Sequence, residues 1–118
     1  MLPRCHRLPS FDTRQVLRAG KRITDNNMQL IYQPAHVSGN RFAFVVGTRV
    51  DKRATVRNRV RRLLRESVQH SIPSLIGSWD VVVIAKKPFI GQNQKDVEQE
   101  IRDMFIRGKL VSPISGTL

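Results

Sequence analysis

The stretch Arg49 to Arg65, RVDKRATVRNRVRRLLR, sets eight Arg and Lys against one Asp and is also patterned as an amphipathic helix. On a 3.6-residue wheel Val56, Val60, Leu63, Leu64 and Val68 share one side, which can close over a core. Asn58, Arg61, Arg62 and Arg65 share the other side, flanked by Arg57 and Arg59. Stability does not ask for this. The i,i+4 pairs Arg57/Arg61 and Arg61/Arg65 each repel by roughly 0.2–0.5 kcal/mol, and cations near a helix start oppose the macrodipole. A solvated face normally mixes signs, and here only Glu66, within pairing reach of Arg62, offsets the run. Such a helix is shaped for an external polyanion. Arg49, Lys52 and Arg53 in the preceding link, with Lys86 and Lys87 after a later strand, rim the same surface if the helix joins neighbouring strands.

Constellations for catalysis are weaker. Asp96, Glu100 and Asp103 share one helix face, the pattern a metal-dependent nuclease would use to hold Mg2+. Acids near a helix start also complement the dipole, and Glu98 and Asp103 can pair Arg102 and Arg107, which is the stronger reading. His6, His36 and His70 have no Cys or His at a metal-ligand interval, and Cys5 has no His or Asp context to activate it. No Gly-rich phosphate loop is present. The chain thus offers no catalytic residues and no metal ligands of its own.

The elements that must position the basic helix follow from pattern. A first helix covers Phe11 to Arg18 or Ala19, with Ser10 as N-cap, Asp12 in the first turn and Gly20 as the stop. A short edge strand lies near Arg22–Thr24, and Met28 to Tyr32 form a strand ending at Pro34. His36 to Asn40, HVSGN, make a turn before the strand Arg41 to Thr48, so these two strands are expected to form a hairpin. In the second, Phe42, Phe44 and Val46 point one way, and Ala43, Val45 and Gly47 the other. The basic helix runs from about Thr55 to Gln69, and Pro73 prevents much continuation. Trp79 to Ala85, WDVVVIA, reads as a strand buried on both faces. The last helix spans about Lys95 to Arg107, with Asn93 as N-cap and Val97, Ile101, Met104 and Phe105 as its core stripe. Tyr32, Phe42 and Phe44 are candidate stacking platforms for unpaired bases. Ordinary core is the stronger reading for the two phenylalanines, Tyr32 is open to either, and Trp79 reads as packing.

At 118 residues the chain is expected to be one domain, 1–118, with its core in about 7–107 and a flexible tail from 108 to 118. No run approaches the ~18 apolar residues of a membrane span, and the opening residues lack the apolar centre of a signal peptide. A single cysteine excludes an intrachain disulfide framework and fits a reducing cytoplasm. The net charge is +12, and 15 of the 21 basic residues are Arg, which suits bidentate phosphate contact. Nucleic acid is favoured over an anionic membrane, because the apolar side of the basic helix is needed as core.

The run Arg53-Ala54-Thr55-Val56-Arg57-Asn58-Arg59-Val60-Arg61-Arg62-Leu63-Leu64-Arg65-Glu66 resembles the signature of the bacterial ribonuclease P protein subunit. The likeness extends to the strand Phe42–Thr48 before it and Asp80–Lys87 after it, and covers about residues 7 to 107. It implies an α/β (α+β) sandwich of order αβββαβα, a small sheet with a left-handed βαβ crossover through the basic helix. It also implies that a large RNA subunit performs Mg2+-dependent endonucleolytic removal of the precursor-tRNA 5′ leader, the Mg2+ being held mainly by RNA. The protein would bind the catalytic RNA through the signature and contact the leader in a groove between the first helix and the sheet. No membrane and no obligate protein partner is implied. Arg53, Arg57, Asn58, Arg59, Arg61, Arg62, Arg65, Lys86 and Lys87 inherit the RNA-contact role, with Arg49 and Lys52 beside them. The family often carries aromatics at the sites of Thr13 and Leu17, which leaves Phe11, Leu17 and Tyr32 as candidate leader contacts. Its common basic pair after the preceding strand reads Thr48-Arg49. A ribosomal RNA-binding protein and a major-groove DNA reader are the competing classes. The signature's context disfavours the first, and the lack of a preceding helix-turn-helix partner disfavours the second.

Overall fold

The computed structural model describes residues 6–89 and 92–111. In chain order it contains α1 (Ser10–Ala19), β1 (Lys21–Thr24), β2 (Met28–Pro34), β3 (Arg41–Val45), α2 (Ala54–Ser71), β4 (Trp79–Ala85) and α3 (Gln94–Arg107). This is the expected αβββαβα order. Cys5 and residues 112–118 lie outside the described residues.

The sheet order is β1-β2-β4-β3. β4 pairs antiparallel with β2 and parallel with β3, while β1 pairs antiparallel with β2. The expected hairpin between β2 and β3 therefore does not form. β4, apolar on both faces, takes the central place between them, because only there are both of its faces covered. The hairpin of the fold is β1–β2. The link at 35–40 instead crosses the start of β4, a span of two strand spacings or ~9.6 Å. It is pinned there by Ala35 N–H to Ser78 C=O (2.9 Å), Gly39 N–H to Ser78 Oγ (2.8 Å) and Trp79 N–H to Asn40 Oδ1 (2.9 Å).

Period-2 alternation divides the core in two. Met28, Leu30 and Tyr32 of β2, Phe42 of β3 and Val81, Val83 and Ala85 of β4 face α2 and α3. They meet Val60, Leu64 and Val68 of α2 and the whole expected stripe Val97, Ile101, Met104 and Phe105 of α3. On the opposite face Ile31 and Val82 pack with Val16 of α1 and with Leu8. The segment before α1 lies along the edge of β3, with Leu8 N–H donating to Phe42 C=O at 2.8 Å.

The helix ends differ from the pattern in instructive ways. Ser10 is the first helical residue and not the cap; Pro9 takes the cap position, and no side chain caps the helix. Gly20 does stop α1, but in an extended conformation (φ −72°, ψ 158°). Its glycine requirement is one of space: a Cβ there would lie 2.7 Å from Val16 O and 2.9 Å from Ile31 Cγ2. Asn93 caps α3 in a full capping box with Asp96. The tail expected to be flexible from 108 begins packed. Leu110 and Val111 are buried, and Ile76 N–H donates to Leu110 C=O at 2.8 Å. Apolar side chains directly after a helix can turn back onto its own core face, and these do.

α1 is fastened to the sheet by charge as well as packing. Arg41 grips Asp80 with two bonds, Nε–Oδ1 and Nη2–Oδ2, both 3.0 Å, and reaches Asp12 of α1 at 3.5 Å. Asp80 is only 1% exposed. The hydrogen bond to Asp80 raises the Arg41 pKa further, against the opposing effect of burial. Among the described residues no helix is long and apolar enough to cross a membrane.

Candidate nucleic-acid interface

α2 forms because its apolar positions recur at helical spacing and close over β3 and α3. Burying Val60, Leu64 and Val68 turns Arg59 and Arg62 fully outward and leaves Arg57, Arg61 and Arg65 half-buried at the flanks. The first turn contains no acid and the cap, Arg53, makes no side-chain cap bond. What organises this end is Asp51, which accepts from Arg53 N–H at 2.8 Å and from its Nε and Nη2 at 3.0 Å. These bonds hold the Asp51 carboxyl down to about 2, from its usual 3.8.

The six signature positions divide by task. Arg57 folds back, its Nη1 donating to Lys52 C=O at 2.8 Å and Asp51 C=O at 3.1 Å, so it clips the link ahead of the helix. Asn58 accepts from Arg61 Nη1 at 2.8 Å and so aims that guanidinium. Thr55, Asn58, Arg59, Arg62 and Arg65 line one open hollow of about 360 Å³ along the helix. Arg59 and Arg62 also line a second, of about 190 Å³, against Phe89 and Gln92. Glu66 lines that hollow too but makes no ion pair with Arg62, so the expected pairing is absent, and its single charge leaves the face positive.

The adjacency of the remaining cations follows from the parallel pairing of β3 and β4, with Val45 beside Ile84. Their C-terminal ends open together, so Arg49 and Lys86 rim one hollow of about 490 Å³ whose floor is Val45, Val50, Ile84 and Ala85. Lys86 Nζ donates to Asp25 C=O at 2.9 Å; Lys52 and Lys87 are exposed beside this rim. Val50 and Ala85 belong to the core under α2 and α3, while Ile84 lies on the α1 face of the sheet, where Leu17, Ala43 and Ile84 are partly buried at the margin of the packing.

The candidate leader contacts separate. Leu17 sits at that margin. Phe11, 69% exposed, projects from the first turn of α1. Tyr32 is on the other face, buried, donating to Gly108 C=O at 3.3 Å and edge-on to Trp79, so it offers no platform to a base. Its parity with Met28 and Leu30 decides this. Phe42 is core, in line with the stronger reading, and Phe44 packs against the core. Sequence reasoning missed Val45 and Ile84 as floor. The available signal was parity: Val45 lies opposite Phe42 and Phe44 in alternation, yet is apolar and 38% exposed.

The carboxylates are engaged elsewhere. Asp96 closes the capping box, Asp103 accepts from Gln99, and Glu98 is bonded by Gln94 and paired with His70. Glu100 accepts from Asn27 at 2.8 Å, its pKa raised by burial. Among the described residues no three His, Cys, Asp or Glu side chains cluster as metal ligands.

A family model described as Ribonuclease P matches residues 2–109. The chain is 30% identical over 112 residues to the ribonuclease P protein component of Synechocystis sp., covering 93% of this chain and 90% of that protein. It is 28% identical over 101 residues to that of Fusobacterium nucleatum, covering 81% and 89%. Among solved structures, the Staphylococcus aureus RNase P protein matches with a TM-score of 0.78 at 16% identity, over 91% of this chain and 98% of that one. The Thermotoga maritima RNase P protein matches at 0.76 and 21% identity, over 86% and 96%. At these identities the structural likeness speaks for the fold.

Proposed function

This chain belongs to the ribonuclease P protein family, accessory subunits of that endoribonuclease, and from that premise we propose how its two surfaces divide the work on RNA. The exposed face of α2, led by Arg59, Arg61, Arg62 and Arg65 with Arg53 at its start, grips the catalytic RNA. The hollow at the ends of β3 and β4 takes the single-stranded 5′ leader of precursor tRNA. Its apolar floor suits the flat face of a base, and Arg49 and Lys86 on its rim suit the phosphates. The single observation that carries the reading is the cationic face of α2, where Arg59, Arg61, Arg62 and Arg65 make no ion pair among the described residues, anchored by a core that leaves no alternative orientation. Phosphodiester hydrolysis is assigned to the RNA. The Mg2+ that hydrolysis requires is assigned to the RNA with it.

The test is functional complementation in vitro. Added to a cognate catalytic RNA at low Mg2+, the protein restores leader removal from precursor tRNA. Absence of stimulation across the whole Mg2+ titration overturns the reading.

A further inference from the structure

Helix α3 ends in a motif whose left-handed position usually holds glycine, and this chain puts a lysine there. Leu110 N–H donates to Phe105 C=O at 2.9 Å and Lys109 N–H to Ile106 C=O at 3.0 Å, the paired bonds of a Schellman ending. Lys109 accordingly has φ 63°, a region that any Cβ disfavours. The adjacent Gly108 sits at φ −84° and serves packing instead, since a Cβ there would lie 2.5 Å from Ile23 Cδ1. Glycine at 109 would relax the backbone without touching the core.

The surroundings of Lys109 are cationic. Gly108 lies over the β1–β2 ladder where Lys21 pairs with Tyr32, whose hydroxyl bonds Gly108 C=O. Lys21 shares the face of Ile23, whose Cδ1 lies against Gly108, so it is on the side of the sheet where α3 ends with Arg107 and Lys109. Arg22 points to the other face, where its guanidinium donates to Leu17 C=O at 2.8 Å, next to Arg18. Arg18, Lys21, Arg22, Arg107 and Lys109 are all exposed, and none makes an ion pair among the described residues. Two helix C-termini and a sheet edge converge here, and both favour cations. A cation placed without backbone strain would meet those needs; the left-handed lysine goes beyond them.

We propose that Arg18, Lys21, Arg22, Arg107 and Lys109 form a second contact for an RNA sugar-phosphate backbone. It rests on the reading above that the chain works on RNA. β1 is the sheet edge opposite β3, ~14 Å away by three strand spacings. The segment that meets the site belongs either to the catalytic RNA or to the precursor.

The full-length variants Lys109→Gly and Lys21→Ala test this in two arms: binding of the protein to the catalytic RNA, and binding of the assembled holoenzyme to precursor tRNA. Lys109→Gly is expected to raise the thermal unfolding midpoint while weakening RNA binding. Each variant is expected to flatten the dependence of log K on log salt by about 0.7–0.9. A flatter slope in the first arm places the contact on the catalytic RNA, and one only in the second places it on the substrate; either supports the site. An unchanged slope in both arms for both variants overturns it, whatever the midpoint does. If Arg59→Ala with Arg62→Ala responds while these do not, only the second site fails. If neither pair responds, the assignment of α2 to RNA fails as well.

Discussion

The face of α2 and the hollow at the ends of β3 and β4 differ in how they are built. The first draws Asn58, Arg59, Arg61, Arg62 and Arg65 from one continuous helix, and local geometry alone brings them together. The second draws Val45, Arg49, Ile84 and Lys86 from the ends of two strands and the link after one of them. Its shape exists only while β3 and β4 stay in register. A surface of the first kind tolerates injury elsewhere in the fold, and a surface of the second kind does not.

Removing the charge that clamps β3 to β4 should separate the two most strongly. Asp80→Ala leaves Arg41, largely buried, with only the longer 3.5 Å reach to Asp12, at a cost of about 3–5 kcal/mol that urea unfolding measures. In protein still folded, leader affinity should fall while affinity for the catalytic RNA holds. Equal declines on both surfaces would show that the two are not independent. Gly20→Ala should act the same way more mildly. Its Cβ would meet Val16 O and Ile31 Cγ2, at a cost of about 1–3 kcal/mol, and thermal unfolding with leader binding reads both effects.

The reverse injury is Arg59→Ala with Arg62→Ala. Both side chains are exposed, so stability should stay within ~0.5 kcal/mol. The salt slope for catalytic RNA should flatten by about 1.4–1.8, one step of about 0.7–0.9 for each phosphate that is no longer neutralised. Arg57→Ala should not behave this way, because its guanidinium holds the Asp51 and Lys52 carbonyls; a lower unfolding midpoint is expected beside any change in binding.

The smallest effect is a pH dependence. The folded-state pKa of Asp51 is depressed to about 2, so its contribution is complete above its ordinary 3.8 and is lost as pH falls through about 2. NMR titration should find Asp51 charged, and the Arg53 bonds intact, down to about pH 3. A midpoint near 3.8 would mean that Asp51 does not organise the start of α2.

Much of the α2 surface was legible in the residues themselves. Its apolar and cationic sides, the two-faced burial of β4, the Asn93 cap and the stripe of α3 all follow from spacing along one element. The strand order was not legible, because a short Gly-Asn turn suggests a hairpin whether or not a later strand enters between its arms. The burial of Tyr32 is hidden for a related reason. Its position near a strand end suggests access, while its face is set by what packs beneath Gly108.

The sequence by itself determined which helix carries the charge and which side of it is free, because helical periodicity is a local property of the chain. Only the tertiary structure decided which cations act together. The parallel pairing of β3 and β4 joins Arg49 to Lys86, and the approach of Gly108 to Ile23 brings the end of α3, with Lys109, to the strand that carries Lys21. Neither meeting is written in any window of sequence, since each depends on which strands become neighbours, and that is settled by the competition among apolar faces for the centre of the sheet.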